Sequence, residues 1–432
     1  MNKKFFLLIV SLVFAPMLLG IGLESAMAQE KGLGKPVEPI KIGYIGNFSW
    51  AVAADAFYAA RLAVDEVNKA GGILGRPLEL MSEDTRGQAP LSTAAYKKFV
   101  MSKGATVVMI AEGSEINFAC QEAGAELYPE YRHIAMNVTT SHEELGQKVL
   151  KQYQRYKFYF RVFFKSSDYF QYLKENAEFM NHYTKAKTAA LIVEDALWTE
   201  FFRKGLPGKF PPFKQIMEGT GVKIVYYAET AIGEKMYLPV LEALAAKKPD
   251  YIYFLCAYSD DLIFVKQWAQ SAAADIDFYC NGGKSGMAGF WNMTGGAALG
   301  VVSTIYGAKA ALSERTIPFI EALKATHNRE PNWIAYASYD VPFLLRAAAE
   351  KGKSTDPEAL IKSLESIEIE GVSGRAKFDD THSYKWGFPY MEISRSQYQK
   401  DGEYVVVYPF KVAKESNPDK TFIPVKRLKK KL

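Results

Sequence analysis

Cysteine, histidine and long apolar runs are all scarce in this chain. Three cysteines in 432 residues exclude a disulfide-built scaffold. Five histidines leave little material for a multi-metal protein. After residue 23 no stretch approaches the roughly 18 apolar residues of a membrane-crossing helix. A dominant charge is missing too. Lysine and arginine number 53 against 48 acids, and the excess sits at the two ends. Lys3, Lys4 and Glu24 lie near the start; Lys426, Arg427, Lys429, Lys430 and Lys431 form a basic tail over 426–432. The body between them is close to neutral, so the charge balance does not indicate a nucleic-acid surface, and no basic face stands out. Neither heptads nor low-complexity tracts occur. What remains is ordinary globular composition, 49% hydrophobic and 23% charged, in a chain long enough for about two or three domains.

The first 28 residues have the three parts of a secretory signal. Lys3 and Lys4 precede an apolar run over 5–23, and Ala26-Met27-Ala28 supplies the small residues of a cleavage site. Cleavage is expected after Ala28. A retained membrane anchor is the alternative, and Pro16, Gly20 and Gly22 argue against it. No cysteine follows the run, so a lipid anchor is not expected. The mature chain should be soluble and exported.

The body alternates strand and helix. Residues 40–46 read as a strand; Ala53, Ala56, Phe57, Ala60, Ala63, Val64 and Val67 then mark one face of a helix that Gly71-Gly72 stops. Strands follow at 78–81, 105–111 and 133–138, with helices at 89–102 and 115–127. After a break, an aromatic strand at 156–164 restarts the pattern. Strands at 188–193, 222–228, 251–256 and 276–280 alternate with helices at 166–182, 237–246 and 260–271, and 317–364 is mostly helix, including 335–351. Such repeats need right-handed crossovers and build mainly parallel sheets. Two blocks imply two similar lobes.

Several motifs fail on inspection. Gly283-Lys284-Ser285 resembles the end of a phosphate loop, but Phe278 stands where its first glycine belongs. Ser285 is followed by Met287 where a hydrolase elbow needs glycine. His142-Glu143-Glu144 lacks the second histidine of a zinc helix, and no cysteine pair has zinc spacing. No Gly-x-Gly-x-x-Gly opens the first helix. The chain is therefore expected not to be an enzyme, and no cofactor or metal is expected. Cys256 and Cys280 each end a predicted strand; they are either a disulfide pair or two buried thiols.

One stretch is more specific than the rest: Val64-Asp65-Glu66-Val67-Asn68-Lys69-Ala70-Gly71-Gly72-Ile73-Leu74-Gly75-Arg76-Pro77-Leu78-Glu79-Leu80. It follows Lys41-Ile42-Gly43-Tyr44-Ile45-Gly46 and precedes Glu83-Asp84. Together they resemble the leucine/isoleucine/valine-binding protein family, type I periplasmic substrate-binding proteins of ABC importers. Tyr156-Lys157-Phe158-Tyr159-Phe160-Arg161, Lys248-Pro249-Asp250-Tyr251-Ile252-Tyr253 and Glu403-Tyr404-Val405-Val406-Val407-Tyr408-Pro409 extend the likeness over nearly the whole mature chain. The resemblance implies an α/β fold of two doubly wound parallel-sheet lobes joined by three crossover segments, closing on a ligand. The first lobe is expected at 40–157 plus 304–388, the second at 158–303 plus 389–425.

In open parallel sheets, ligands sit beyond the carboxyl ends of the strands. On the first lobe the resemblance implies that Gly113 and Ser114, then Thr139 and Thr140 with Ser141 as the shifted alternative, hold a ligand carboxylate. On the second it implies that Trp198 and Tyr258 cover the ligand, with Trp50 as a further wall. Ser114 could instead only cap a helix, Thr139–Ser141 could be a hydroxyl-rich turn, and each aromatic could be packing. Gly282 and Gly283 are further candidate ligand contacts, and the departure from the family lies there, at Asn281-Gly282-Gly283-Lys284, where amino-acid binders place an acid for the ligand ammonium. Glu194, Asp195 or Asp260 could replace it; otherwise the ligand lacks an ammonium. Lys284 could contact a second acidic group or be solvated.

The leading expectation is a periplasmic binding protein that captures a small hydrophobic or aromatic carboxylate, or a branched-chain amino acid. Its partners would be that ligand and an inner-membrane ABC permease with its ATPase; it is expected to be a monomer. The alternatives are a ligand sensor of the same fold that signals rather than delivers, and an exported hydrolase.

Overall fold

The computed structural model describes residues 37–287 and 289–430; the apolar run and the cleavage site after Ala28 lie outside these residues. Two mainly parallel sheets organise the described chain. The first contains β1 (Ile40–Gly46), β2 (Leu78–Asp84), β3 (Val107–Ala111), β4 (Ile134–Asn137) and β5 (Tyr159–Arg161), in the spatial order β2-β1-β3-β4-β5. All its pairings are parallel. Every residue of β3 is buried, which is why that strand reads as a continuous apolar run: helices cover both faces.

The second sheet repeats this winding. β6 (Thr188–Asp195), β7 (Lys223–Ala231), β8 (Tyr251–Leu255), β9 (Asp277–Asn281) and β10 (Val302–Ser303) lie in the order β7-β6-β8-β9-β10, again parallel. A small hairpin, β11 (Ile369–Gly371) and β12 (Gly374–Ala376), stands apart. β13 (Arg395–Tyr398) and β14 (Tyr404–Tyr408) then extend the second sheet with antiparallel pairings. β6 is buried on both sides, with Leu191 and Val193 in one apolar cluster and Ala190 and Ile192 in the other.

The chain passes between the sheets three times. It leaves the first after β5, returns after β10 through the helices Thr316–His327, Trp333–Gly352 and Pro357–Leu364, and crosses again to β13. The helix Trp333–Gly352 packs along Ala51–Lys69, the first helix. That helix stops where expected, since Gly71 and Gly72 take φ of 95° and 72°. A Cβ on Gly72 would lie 2.2 Å from the carbonyl oxygen of Arg76.

Two predicted elements differ in detail. The strand expected over 156–164 is confined to β5, because Phe163 and Phe164 leave the sheet for the cleft described below. β5 pairs with β4, so the first sheet extends to residue 161. The helix expected over 89–102 ends at Lys97 and continues as one π-helical turn, Lys98–Ser102. Among the described residues no helix is long and apolar enough to cross a membrane.

Candidate ligand-binding site

A cleft opens between the carboxyl ends of the two sheets. Its empty space is about 780 Å³ out to the open mouth, room for one small solute. Gly113, Thr139, Thr140 and Ser141 line it from the first lobe, and Trp198, Tyr258, Gly282 and Gly283 from the second; Trp50 adds a wall. Of the residues expected at the site, Ser114 alone lies just behind the lining. Its hydroxyl is hydrogen-bonded to that of Thr140.

The first-lobe side is a set of hydroxyls with unequal freedom. The Asn137 side chain shapes the turn after β4: its Oδ1 accepts the N–H of Thr139 at 2.9 Å and of Thr140 at 3.0 Å, and its Nδ2 donates to the Thr140 carbonyl at 2.9 Å. The Thr139 hydroxyl donates to the Ile110 carbonyl at 3.2 Å, so its single proton is engaged inside the fold. The Ser114–Thr140 pair uses one proton between two hydroxyls and leaves one to donate. The Ser141 hydroxyl has no hydrogen-bond partner among the described residues. Next to it the helix Ser114–Leu127 begins, and its first N–H groups have no partner within the helix. This side can donate several hydrogen bonds to an anion.

The second-lobe side is aromatic and tied to buried acids. The Trp198 indole donates to Glu194 Oε2 at 2.8 Å, and its ring meets Tyr169 edge-on at 6.0 Å. Tyr258 lies 6.3 Å from Trp50, ring to ring. Its hydroxyl fits only because residue 113 is glycine: a Cβ there would sit 2.2 Å from that oxygen. The turn after β9 is held by Asp261, whose Oδ2 accepts the N–H of Lys284 at 3.0 Å and of Ser285 at 2.6 Å. Burial pushes the Asp261 carboxyl up to about 6, and the two N–H groups partly offset this.

The three acids expected to replace the missing ammonium partner are all engaged elsewhere. Glu194 is fully buried and accepts from Trp198 and from three backbone N–H groups. Asp195 pairs with Arg203 at 2.7 Å. Asp260 caps the next helix through Ile263 and pairs with Lys284 at 2.9 Å, which also gives Lys284 its partner. Among the described residues, no charged side chain lines the cleft.

Sequence reasoning missed much of the aromatic floor. Phe163 and Phe164 follow β5 and stack at 4.1 Å; Tyr169 stacks on Phe164 at 4.9 Å. Thr304 and Tyr306 follow β10. Phe163, Phe164, Thr304 and Tyr306 obey the same strand-end rule that located Thr140, so that signal was present. Trp333, 5.8 Å from Trp50, starts a helix and carried no comparable signal. Asn281, where the ammonium partner was missing, donates through Nδ2 to the Tyr169 hydroxyl at 2.7 Å. Cys256 lines the cleft; Cys256 and Cys280 are both free and buried. No group of three or more His, Cys, Asp or Glu among the described residues could hold a metal ion.

Comparison with known proteins agrees with this architecture. The chain is 23% identical over 352 residues to a leucine-, isoleucine-, valine-, threonine- and alanine-binding protein of Pseudomonas aeruginosa, covering 81% of this chain and 88% of that protein. A branched-chain amino acid transporter substrate-binding protein from Streptococcus pneumoniae, solved with isoleucine, superimposes with a TM-score of 0.67 at 18% identity, over 86% of this chain and 99% of that one. A solute-binding protein of an ABC transporter from R. palustris, solved with benzoate, gives 0.66 at 17% identity, over 85% and 95%. At these identities the structural matches establish the fold. The family model for periplasmic binding proteins matches residues 39–396, and the chain belongs to that family.

Proposed function

We propose that this periplasmic binding protein captures a hydrophobic or aromatic carboxylate that carries no ammonium group, and delivers it to an inner-membrane ABC permease and its ATPase. The observation that carries the reading is the absence of any charged side chain from the cleft lining. An ammonium buried there would lack a counter-charge, at a cost of several kcal/mol. A carboxylate would instead meet the Ser141 hydroxyl, the proton left by the Ser114–Thr140 pair and the start of the helix Ser114–Leu127, which favours an anion. Trp198, Tyr258, Trp50 and Phe164 supply the apolar walls. The solved relatives with benzoate and with isoleucine hold ligands of the two competing classes. In this reading residues 1–28 are an export signal removed after Ala28, and the lobes divide after residue 161 and near residues 304 and 389.

A thermal-shift screen of amino acids, aromatic and branched aliphatic acids, and amides tests the proposal, because ligand binding raises Tm by mass action. Arenecarboxylates or branched aliphatic acids should raise Tm most. Amino acids raising it more than the matching acids would contradict the reading.

A further inference from the structure

We infer that Glu194 is a positioning residue, a buried clasp that fixes the two aromatic walls Trp198 and Tyr258 at once. Glu194 sits near the end of β6 with no exposed surface. Its Oε2 accepts the Trp198 indole N–H at 2.8 Å and the Ala257 N–H at 3.1 Å. Its Oε1 accepts the Tyr258 N–H at 2.9 Å and the Ser259 N–H. A carboxylate offers about four lone-pair positions, and all four are occupied. Neither ion pair nor ligand is needed to balance this group: four N–H dipoles converge on it, the arrangement that makes a buried carboxylate tolerable.

The four donors come from two loops. Trp198 belongs to the turn after β6, and Ala257–Ser259 to the turn after β8. One side chain therefore ties together two loops that are separate in sequence, and each carries one wall of the cleft. The Thr199 hydroxyl adds a bond to the Glu194 carbonyl at 2.5 Å, which holds the same turn from behind. An ammonium could reach Glu194 only by displacing one of these donors and loosening a wall. The acid four residues before Trp198 thus shapes the cleft without contacting its contents.

The test compares wild type with Glu194→Gln, titrated with leucine and with 4-methylpentanoate. The amide keeps the size but turns one acceptor into an NH₂ group facing N–H donors. Binding of both solutes should weaken by the same factor, roughly ten- to hundred-fold, the equivalent of one or two charge-assisted hydrogen bonds. The inference rests on the proposed ligand class only for these probes. An error in that class changes which solute binds wild type better and leaves the equality of the two losses intact. Loss confined to leucine would make Glu194 an ammonium partner and overturn the clasp, as would unchanged binding of both. A second measurement needs no bound solute. In the NMR spectrum of wild-type protein the Trp198 indole N–H, assigned by its loss in Trp198→Phe, should be shifted downfield and protected from exchange. Exchange as fast as that of an exposed indole would overturn the inference.

Discussion

Glu112 precedes Gly113 at the edge of the cleft and is buried, with the Thr85 hydroxyl on its Oε1. Burial pushes its carboxyl up to about 7; the Thr85 bond lowers it in part, and Asp84 raises it further. The folded state therefore holds this proton more tightly than the unfolded chain does. The stability it contributes is complete below the ordinary carboxylate range and is lost as pH rises towards about 7. Glu112→Gln should match wild type near pH 4 and exceed it near pH 8 by up to about 3 kcal/mol in urea unfolding. Trp198 gives a second residue-scale expectation. Trp198→Ala should weaken ligand binding by about 1–3 kcal/mol in calorimetry, the value of one large apolar side chain; unchanged affinity would assign the ring to packing. The strand-end rule reached Trp198, Tyr258 and Thr140 from sequence. It could not show that the Thr139 hydroxyl donates to Ile110, because that bond depends on β3 and β4 lying side by side.

At the scale of elements, two glycines set how closely the cleft loops approach. A Cβ on Gly282 would lie 2.1 Å from Asp261 Oδ2, an atom already fixed by two backbone N–H groups. Gly282→Ala should lower stability by about 1–3 kcal/mol, the usual cost of overpacking, read as a reduced Tm. A Cβ on Gly113 meets the far ends of two side chains, Tyr258 and Glu115, which can swing away. Gly113→Ala should therefore leave Tm nearly unchanged and weaken ligand binding. A fall in Tm equal to that of Gly282→Ala would contradict the distinction. Strands of the parallel sheets were legible because burial on both faces makes runs such as Val107–Ala111 continuous and apolar. The short helices Glu143–Lys151 and Phe213–Gly219 were not, because a helix of two turns leaves too brief a periodic pattern to stand out from its neighbours.

At the scale of the whole molecule, Glu143 is one of the groups through which the two lobes touch. Glu143, on the first-lobe side, accepts from Lys209 at 2.9 Å and from the Ser167 N–H at 3.0 Å, both on the second-lobe side. These partners outweigh its burial and hold its carboxyl below the usual range. Lys209 is about half exposed, with 47% of its side chain accessible, so the pair is screened. Lys209→Ala should weaken ligand binding by about 1 kcal/mol or less, with the loss shrinking as salt is added. The repeated strand order and the missing acid at Asn281-Gly282-Gly283 were both legible in the sequence. The fate of the replacement acids was not, since the bonds of Glu194 join residues 63 to 65 positions apart. Calorimetric titration of leucine against 4-methylpentanoate, and of phenylalanine against 3-phenylpropanoate, tests the uncharged cleft most directly. The des-amino acids should bind at least about ten-fold more tightly, a difference of about 1.4 kcal/mol or more; tighter binding of the amino acids would contradict a cleft with no partner for an ammonium.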